Sequence, residues 1–511
     1  MNNLEQFVAN PWRASHDAYQ TSAFAMTPAP EYASAEVLLA SLYRVIGFED
    51  LQESKVPAGG RALEKLMAKQ HGSDNGPNGA DLAARDLHTL LHGILESPKA
   101  PNQSSKRFIQ VTPLVPQVAR FSGSARPSAN SWTAGALVRR MVWLGSSSPA
   151  EASALWARLF GALTVGPTDD VFARWLQGEL QDWTGETSWG LVKPGAADVA
   201  SLDQPDFEGA PIPARQFVED LDAIIDARDA MTRWQWTSLL EAVIRLGAVA
   251  HVIWLCDVQS RMWQAVRSVL VEGIGPSDEA EARDQLLPQE LRYLSYGDKA
   301  LDRIKDRTSN YLRARLGLNA VLWALADAGQ PFTGTLSSSV DLARLCELVR
   351  RSRDKLIAAG LAATLDDVEE SEAQTIRCKK GTGSNVFEFS RHVLGQRQAA
   401  VDVLRGYDQG YVLRKKTTAR ASPWVVALGP VAVLAMVHCS LAETRGPASV
   451  RRLSQHLSRY GIVVERNAIA LNDLGQQLRM LGLVLDSPDA ESGMLMVPPF
   501  PPSATAGSDG A

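Results

Sequence analysis

Apolar residues recur at spacings of three and four through most of the middle of the chain. This period predicts successive helices over residues 149–161, 171–183, 214–236, 238–272, 288–329 and 338–360. Pro149 stands near the start of its helix, where a missing N–H costs nothing. Two further helical patterns, over 31–47 and 79–96, flank the stretch from His71 to Gly79, whose Gly, Pro, Asn and Asp residues mark a loop. Residues 97–131 are rich in Pro, Ser and Gly, with one short strand expected over 107–111, and residues 185–213 form a Gly/Pro/Asp-rich connector. The apolar runs 243–255 and 425–437 are too short to span a bilayer. The first contains Arg245 and His251 and the second is interrupted by Gly429-Pro430, so both predict buried helices.

The clearest pattern lies at the C-terminal end. Residues 430–443 predict a helix with Leu434, Val437 and Leu441 on one face. After a turn at Thr444–Pro447, Ser449 is placed to cap a second helix carrying Val450, Leu453, Leu457 and Tyr460, which Gly461 closes. A third helix is predicted over 467–481, with Leu471, Leu474, Leu478 and Leu481 buried and Gly482 ending it. Two short strands, 483–486 and 494–497, follow on either side of a turn-rich loop. Three helices and then a β-hairpin is an order that resembles the winged helix-turn-helix domains. The resemblance implies that the third helix reads a nucleic-acid groove and that the hairpin is the wing.

The fold class expected is therefore mainly α: a multi-helix scaffold with a C-terminal winged-helix-like module. The divisions expected are an N-terminal helical region with long loops (1–135), a helical scaffold (136–365), a basic connecting segment (366–429), the winged-helix-like domain (430–500) and a disordered tail (501–511). A length of 511 residues accommodates several such units. Hydrophobic residues at 45% supply ample core, and the tryptophans from Trp143 to Trp323 are expected to anchor it. The four cysteines, Cys256, Cys346, Cys378 and Cys439, are too scattered for a zinc knuckle or a disulfide framework. With no basic, apolar leader at the start, they suggest reduced thiols in a cytoplasmic protein.

A formal net charge of −5 rules out global attraction to polyanions, so nucleic-acid binding requires a local basic patch. Residues 374–420 provide one. Arg377, Lys379, Lys380, Arg391, Arg397, Arg405, Arg414, Lys415, Lys416 and Arg420 face only Glu388, Asp402 and Asp408, a surplus of seven positive charges. Phe387, Phe389, Tyr407 and Tyr411 are interleaved as candidate stacking platforms, and residues 379–385 read as a Gly-rich loop offering N–H groups to a phosphate. The candidate nucleic-acid contacts are Lys379, Lys380, Arg414, Lys415, Lys416, Arg420, Arg451, Arg452, Arg459, Gln476 and Arg479. Against that reading, the wing carries Asp486, Asp489 and Glu491, which repel phosphate and suit a protein-docking module.

No P-loop, GxSxG or HExxH motif occurs, and no catalytic residue, cofactor or metal site is assigned. His88 and His92 line one helix face, and Glu219, Asp222, Asp226 and Asp229 line another. Each stripe is backed by an apolar face, so both are expected to be exposed and metal-free. The function expected is a non-enzymatic scaffold and nucleic-acid-binding subunit of a larger DNA- or RNA-handling complex, without a membrane contact. Bacterial phage-defence assemblies are one setting for such subunits. The alternatives are a transcriptional regulator or protein-docking adaptor using the winged helix, and an enzyme with an unrecognised site.

Overall fold

Thr232 begins the element around which the rest of the chain is arranged. Its hydroxyl accepts the Gln235 N–H while the Gln235 side chain accepts the Thr232 N–H, a reciprocal cap that starts a 40-residue helix, Arg233–Glu272. At about 1.5 Å per residue this helix spans roughly 60 Å. Gly273, at φ 75°, ends it in the left-handed conformation that glycine adopts without strain. The cap also divides the pattern expected as one helix over 214–236. The chain instead forms a helix at Pro213–Asp226, a 3-10 turn at Arg228–Ala230, and then the long helix.

The computed structural model is mainly helical and describes residues 2–11, 15–26, 35–51, 83–95, 97, 111–121, 134–184, 189–195, 207–368, 382–397, 408–417, 421–444, 446–465, 473–485 and 494–500. The helices in chain order are α1 (Asn3–Ala9), α2 (Asp17–Gln20), α3 (Ala35–Gly47), α4 (Ala84–Leu95), α5 (Ala134–Gly145), α6 (Pro149–Leu163), α7 (Val171–Thr184), α8 (Pro213–Asp226) and the long α9 (Arg233–Glu272). They continue with α10 (Glu279–Leu286), α11 (Leu301–Asp327), α12 (Ser339–Ala358), α13 (Thr382–Leu394), α14 (Pro430–Leu441), α15 (Arg451–Arg459) and α16 (Asp473–Met480). The pattern expected as a helix from 288 to 329 is helical only from Leu301. Before it, Leu294–Ser295 form a short strand, β1, and Gly297 turns at φ 85°.

Helices α3, α5, α8, α10, α11, α12, α13 and α14 all pack against α9. That explains why α9 is apolar all round rather than along one stripe. Among the described residues it is the one helix long and apolar enough to cross a membrane, and its apolar window is wholly buried in protein. Polar side chains on α9 are matched from neighbouring segments: Gln259 accepts the Tyr19 hydroxyl at 2.6 Å, and Arg245 Nη1 donates to Asp408 Oδ1 at 2.7 Å. Trp156, Trp236 and Trp254 are fully buried, Trp143 nearly so, and Trp175, Trp234, Trp263 and Trp323 pack half-buried on the core. The Trp183 side chain lies outside the described residues. A smaller apolar cluster joins Leu87, Leu91 and Leu95 of α4 to Leu176 and Leu180 of α7. Cys256, Cys346 and Cys439 are buried free thiols, and burial pushes the Cys346 thiol up to about 12. Cys378, the strand expected over 107–111 apart from the buried Val111, the 71–79 loop and the 501–511 tail lie outside the described residues.

The C-terminal unit runs α14, β4 (Ala448–Ser449), α15, β5 (Ile462–Val463), α16, β6 (Val484–Leu485) and β7 (Leu495–Met496), following β2 (Leu413–Lys415) and β3 (Trp424–Val426). The two expected hairpin strands pair antiparallel, with Val484 opposite Met496 and Leu485 opposite Leu495. A third strand not foreseen, β4, pairs on the other side of β7. Ser449 therefore belongs to a strand, and Val450 is the cap residue of α15, although the Ser449 hydroxyl still accepts the Arg451 N–H at 3.3 Å. Strand β5 pairs in parallel with β1, and the apolar core is continuous from α9 through α14 and α15 to Met496.

Candidate functional site

The joint between scaffold and C-terminal unit is built on a carboxylate. Asp220 of α8 stands three residues after Phe217 and four before Ile224, so the helical period places it on the buried face. Its Oδ1 accepts from Gln216 Nε2 at 2.7 Å, and its Oδ2 accepts from the Tyr460 hydroxyl at 2.7 Å and lies 3.0 Å from His456 Nε2. Asp220, His456 and Tyr460 are all buried. Burial and the Asp220 charge push the Tyr460 phenol well above its ordinary range, so it remains a hydroxyl donor. Sequence reasoning passed over Asp220 because it read the neighbouring acids as one solvated stripe. The signal present was a carboxylate in phase with Phe217 and Ile224.

A cleft of about 530 Å³ lies beside this joint, rimmed by charged side chains of α8 and α15 and by Glu443 just after α14. Arg158 of α6 pairs with Asp222 and, at 2.6 Å, with Asp226. Arg459 donates to Gln216 Oε1 at 2.7 Å and lies 3.4 Å from Glu219, and Arg452 donates to the Ser440 carbonyl at 2.6 Å and to Glu443 at 3.0 Å. Glu219, Asp226 and Asp229 are exposed as expected, whereas Asp222 is half-buried, and burial raises the carboxyl groups of both Asp222 and Glu219. The acid stripe thus joins α8 to α6 and α15 through arginines. The His88 and His92 side chains lie outside the described residues. Among the described residues no three His, Cys, Asp or Glu side chains converge to hold a metal ion.

The residues expected to meet nucleic acid fall into four groups. Arg414 on β2 pairs with Asp473 of α16, and Arg452 and Arg459 are paired as above, so each faces an acid of this chain. The Lys415 ammonium lies 5.9 Å from the Trp424 ring centroid. Lys416, Arg451, Gln476 and Arg479 are exposed. Lys379, Lys380 and Arg420 lie outside the described residues, as do the acids Asp486, Asp489 and Glu491. Within the basic segment, Arg397 is buried and its backbone N–H donates to Asp408 at 2.8 Å, while Arg391 pairs with Glu388.

Two local expectations are corrected. Phe389 and Tyr411 are buried and Phe387 packs on the core, so these rings are structural anchors rather than stacking platforms. Their apolar area closes α13 and β2 onto the scaffold. The stretch 382–385, expected as a phosphate loop, is the first turn of α13. On the outer side of the C-terminal unit three large apolar side chains stand in solvent: Met480 (77% exposed) at the end of α16, and Leu485 (52%) and Leu495 (36%) directly opposite each other on the hairpin. No protein-family model matches the chain, and no curated protein is detectably similar to it.

Proposed function

We propose that the chain is a non-enzymatic helical scaffold whose winged-helix-like C-terminal unit docks a protein partner within a larger assembly. The observation that carries this reading is the exposed Leu485–Leu495 pair on the hairpin, with Met480 exposed on the preceding helix. Large apolar side chains grouped in solvent are a mark of interaction surfaces. The sequence between the two leucines contains Asp486, Asp489 and Glu491 and no cation. The partner that fits is a protein presenting an apolar patch ringed by Lys or Arg. The pairing of Arg414, Arg452 and Arg459 with acids of this chain supports the same choice over a phosphate backbone.

Nucleic acid is the second reading, favoured by the exposed Lys416, Arg451, Gln476 and Arg479. The test compares wild type, Leu485→Ser/Leu495→Ser and Lys416→Ala/Arg451→Ala/Arg479→Ala, each purified from its native cell and assayed for duplex DNA and RNA by filter binding at two salt concentrations. The docking reading expects a stoichiometric protein companion that the cation variant retains and the leucine variant loses, with charge reversal at Asp489 and Glu491 also weakening it. Duplex binding whose log–log salt slope approaches about −0.9 per contact and flattens only in the cation variant overturns it.

A further inference from the structure

A cavity of about 430 Å³ lies where four distant parts of the chain meet: α3, the first turns of α9, residues 409–410 with α14, and Phe500 near the end. Its volume falls within the range of small-molecule sites. None of its lining residues belongs to α16 or the hairpin, so the cavity is independent of the docking surface. The greater part of its wall is apolar. Met231, Trp234 and Leu239 come from α9 and the turn before it, and Val431, Leu434 and Phe500 from α14 and the end of the chain.

The charges of the lining are answered from within the protein. Among the described residues they are Glu36 and Glu241, and both are buried. Ser97 Oγ donates to Glu36 Oε1 at 3.0 Å. Burial lowers the pKa of the Arg397 guanidinium, and the Glu36 charge acts on the same group to raise it. Glu241 lies 3.5 Å from Arg245 on the next turn of α9, and Arg245 is also held by Asp408 and the Val393 carbonyl. The Thr112 hydroxyl oxygen, by contrast, is buried with no hydrogen-bond partner among the described residues, and Thr112 lines the cavity. A buried hydroxyl without a partner costs free energy that a polar ligand atom recovers.

We propose that this cavity binds a neutral aromatic alcohol, its ring against Trp234, Leu434 and Phe500 and its hydroxyl directed to Thr112. A mostly apolar wall of this size suits a mostly apolar body, and an aromatic ring packs well on Trp and Phe. A charged ligand gives up its hydration on entry and finds no counterion left for it, because the two carboxylates already face Ser97, Arg397 and Arg245. The wall joins α3, α9, α14 and the end of the chain, so an occupant also ties those segments together and stabilises the folded protein.

Titration calorimetry of the full chain tests this with two matched series. One is tryptophol, 3-ethylindole, tryptamine and indole-3-acetate; the other is 2-phenylethanol, ethylbenzene, phenethylamine and phenylacetate. At least one alcohol is expected to bind saturably and to raise the melting temperature, with its cationic and anionic counterparts at least about tenfold weaker. Thr112→Val is expected to weaken that alcohol about fivefold and to leave the hydroxyl-free probe unchanged. Ser238→Phe, which fills the cavity from the α9 side, is expected to abolish binding of every probe. Circular dichroism establishes that each variant is folded. Should either not fold, hydrogen exchange on wild type decides, with slowed exchange expected at 230–241 and 430–435 when the alcohol is added. Equal binding of alcohol, cation and anion overturns the proposal. So does alcohol binding that survives Ser238→Phe or is unchanged by Thr112→Val, slowed exchange confined to other segments, or no saturable binding of either alcohol in the millimolar range.

Discussion

His456 Nε2 lies 3.0 Å from Asp220 Oδ2 although 236 positions separate the two residues. With the Tyr460 hydroxyl on the same oxygen, one carboxylate of α8 orients two side chains of the C-terminal unit. Buried polar groups arranged in this way contribute chiefly to specificity, because only one seating of α15 on α8 satisfies them.

Asp220→Ala is expected to destabilise the protein by about 3 kcal/mol or more, since it leaves three buried donors without their acceptor. Asp220→Asn, which keeps one acceptor oxygen, is expected to cost less. Urea midpoints at constant slope measure both. Equal losses for the two variants would mean that packing rather than hydrogen bonding sets the joint.

Arg245 and Asp408 form the most deeply buried ion pair of α9, and the Asp408 charge, outweighing desolvation together with Glu241, leaves the guanidinium's pKa raised. Arg245→Ala is expected to cost about 3–5 kcal/mol, because it strands a buried carboxylate. Combining Arg245→Met with Asp408→Asn is expected to recover part of that loss, since the amide oxygen introduced by the second change can still accept the Arg397 N–H. A double-mutant cycle reads the coupling directly.

Stability is expected to decline as pH falls below about 6.5, the ordinary histidine value. Burial holds His251 down to about 3, and His16, His392 and His438 are lowered by the same cause. Between the depressed folded value and the unfolded one, only the unfolded chain binds the proton. Stability therefore rises with pH across that window and is lost on acidification. Each such group contributes a slope of up to about 1.4 kcal/mol per pH unit. Both ring nitrogens of His251 are buried without hydrogen-bond partners among the described residues. His251→Leu is expected to flatten the acid limb of a melting-temperature profile from pH 7 to 4, and an unchanged limb would place the acid sensitivity elsewhere.

Gly461 closes α15 at φ 79°, and a Cβ there would sit 2.4 Å from the Tyr293 ring. Its carbonyl also accepts the N–H groups of Tyr293 and Leu294 at 2.8 and 2.9 Å. Gly461→Ala is expected to cost about 1–3 kcal/mol from the backbone conformation alone, with further loss from the clash. Hydrogen exchange at Leu294 is expected to quicken, because β1 and β5 are pushed apart.

Most helices were legible because their apolar residues recur at the helical period, and Pro149 marks the start of α6. The hairpin was legible from two alternating strands around a turn-rich loop. Less visible was the break at Thr232, where an unbroken apolar rhythm conceals a reciprocal cap. The pairing within the basic stretch 374–420 was also hidden. Composition counts charges but not partners, and Arg414 meets its acid 59 residues away while Arg245 draws Asp408 inward from the segment itself.

The position of α9 bears on synthesis. A ribosome releases Glu272 long before Leu441, and at about 5–20 residues per second the interval is roughly ten to thirty seconds. During that time the face of α9 that receives α14 has no native cover. The nascent chain therefore carries a broad apolar surface in water until about its last sixth arrives, so a chain stopped before residue 430 is a ready client for chaperones and a candidate for aggregation rather than a smaller working scaffold.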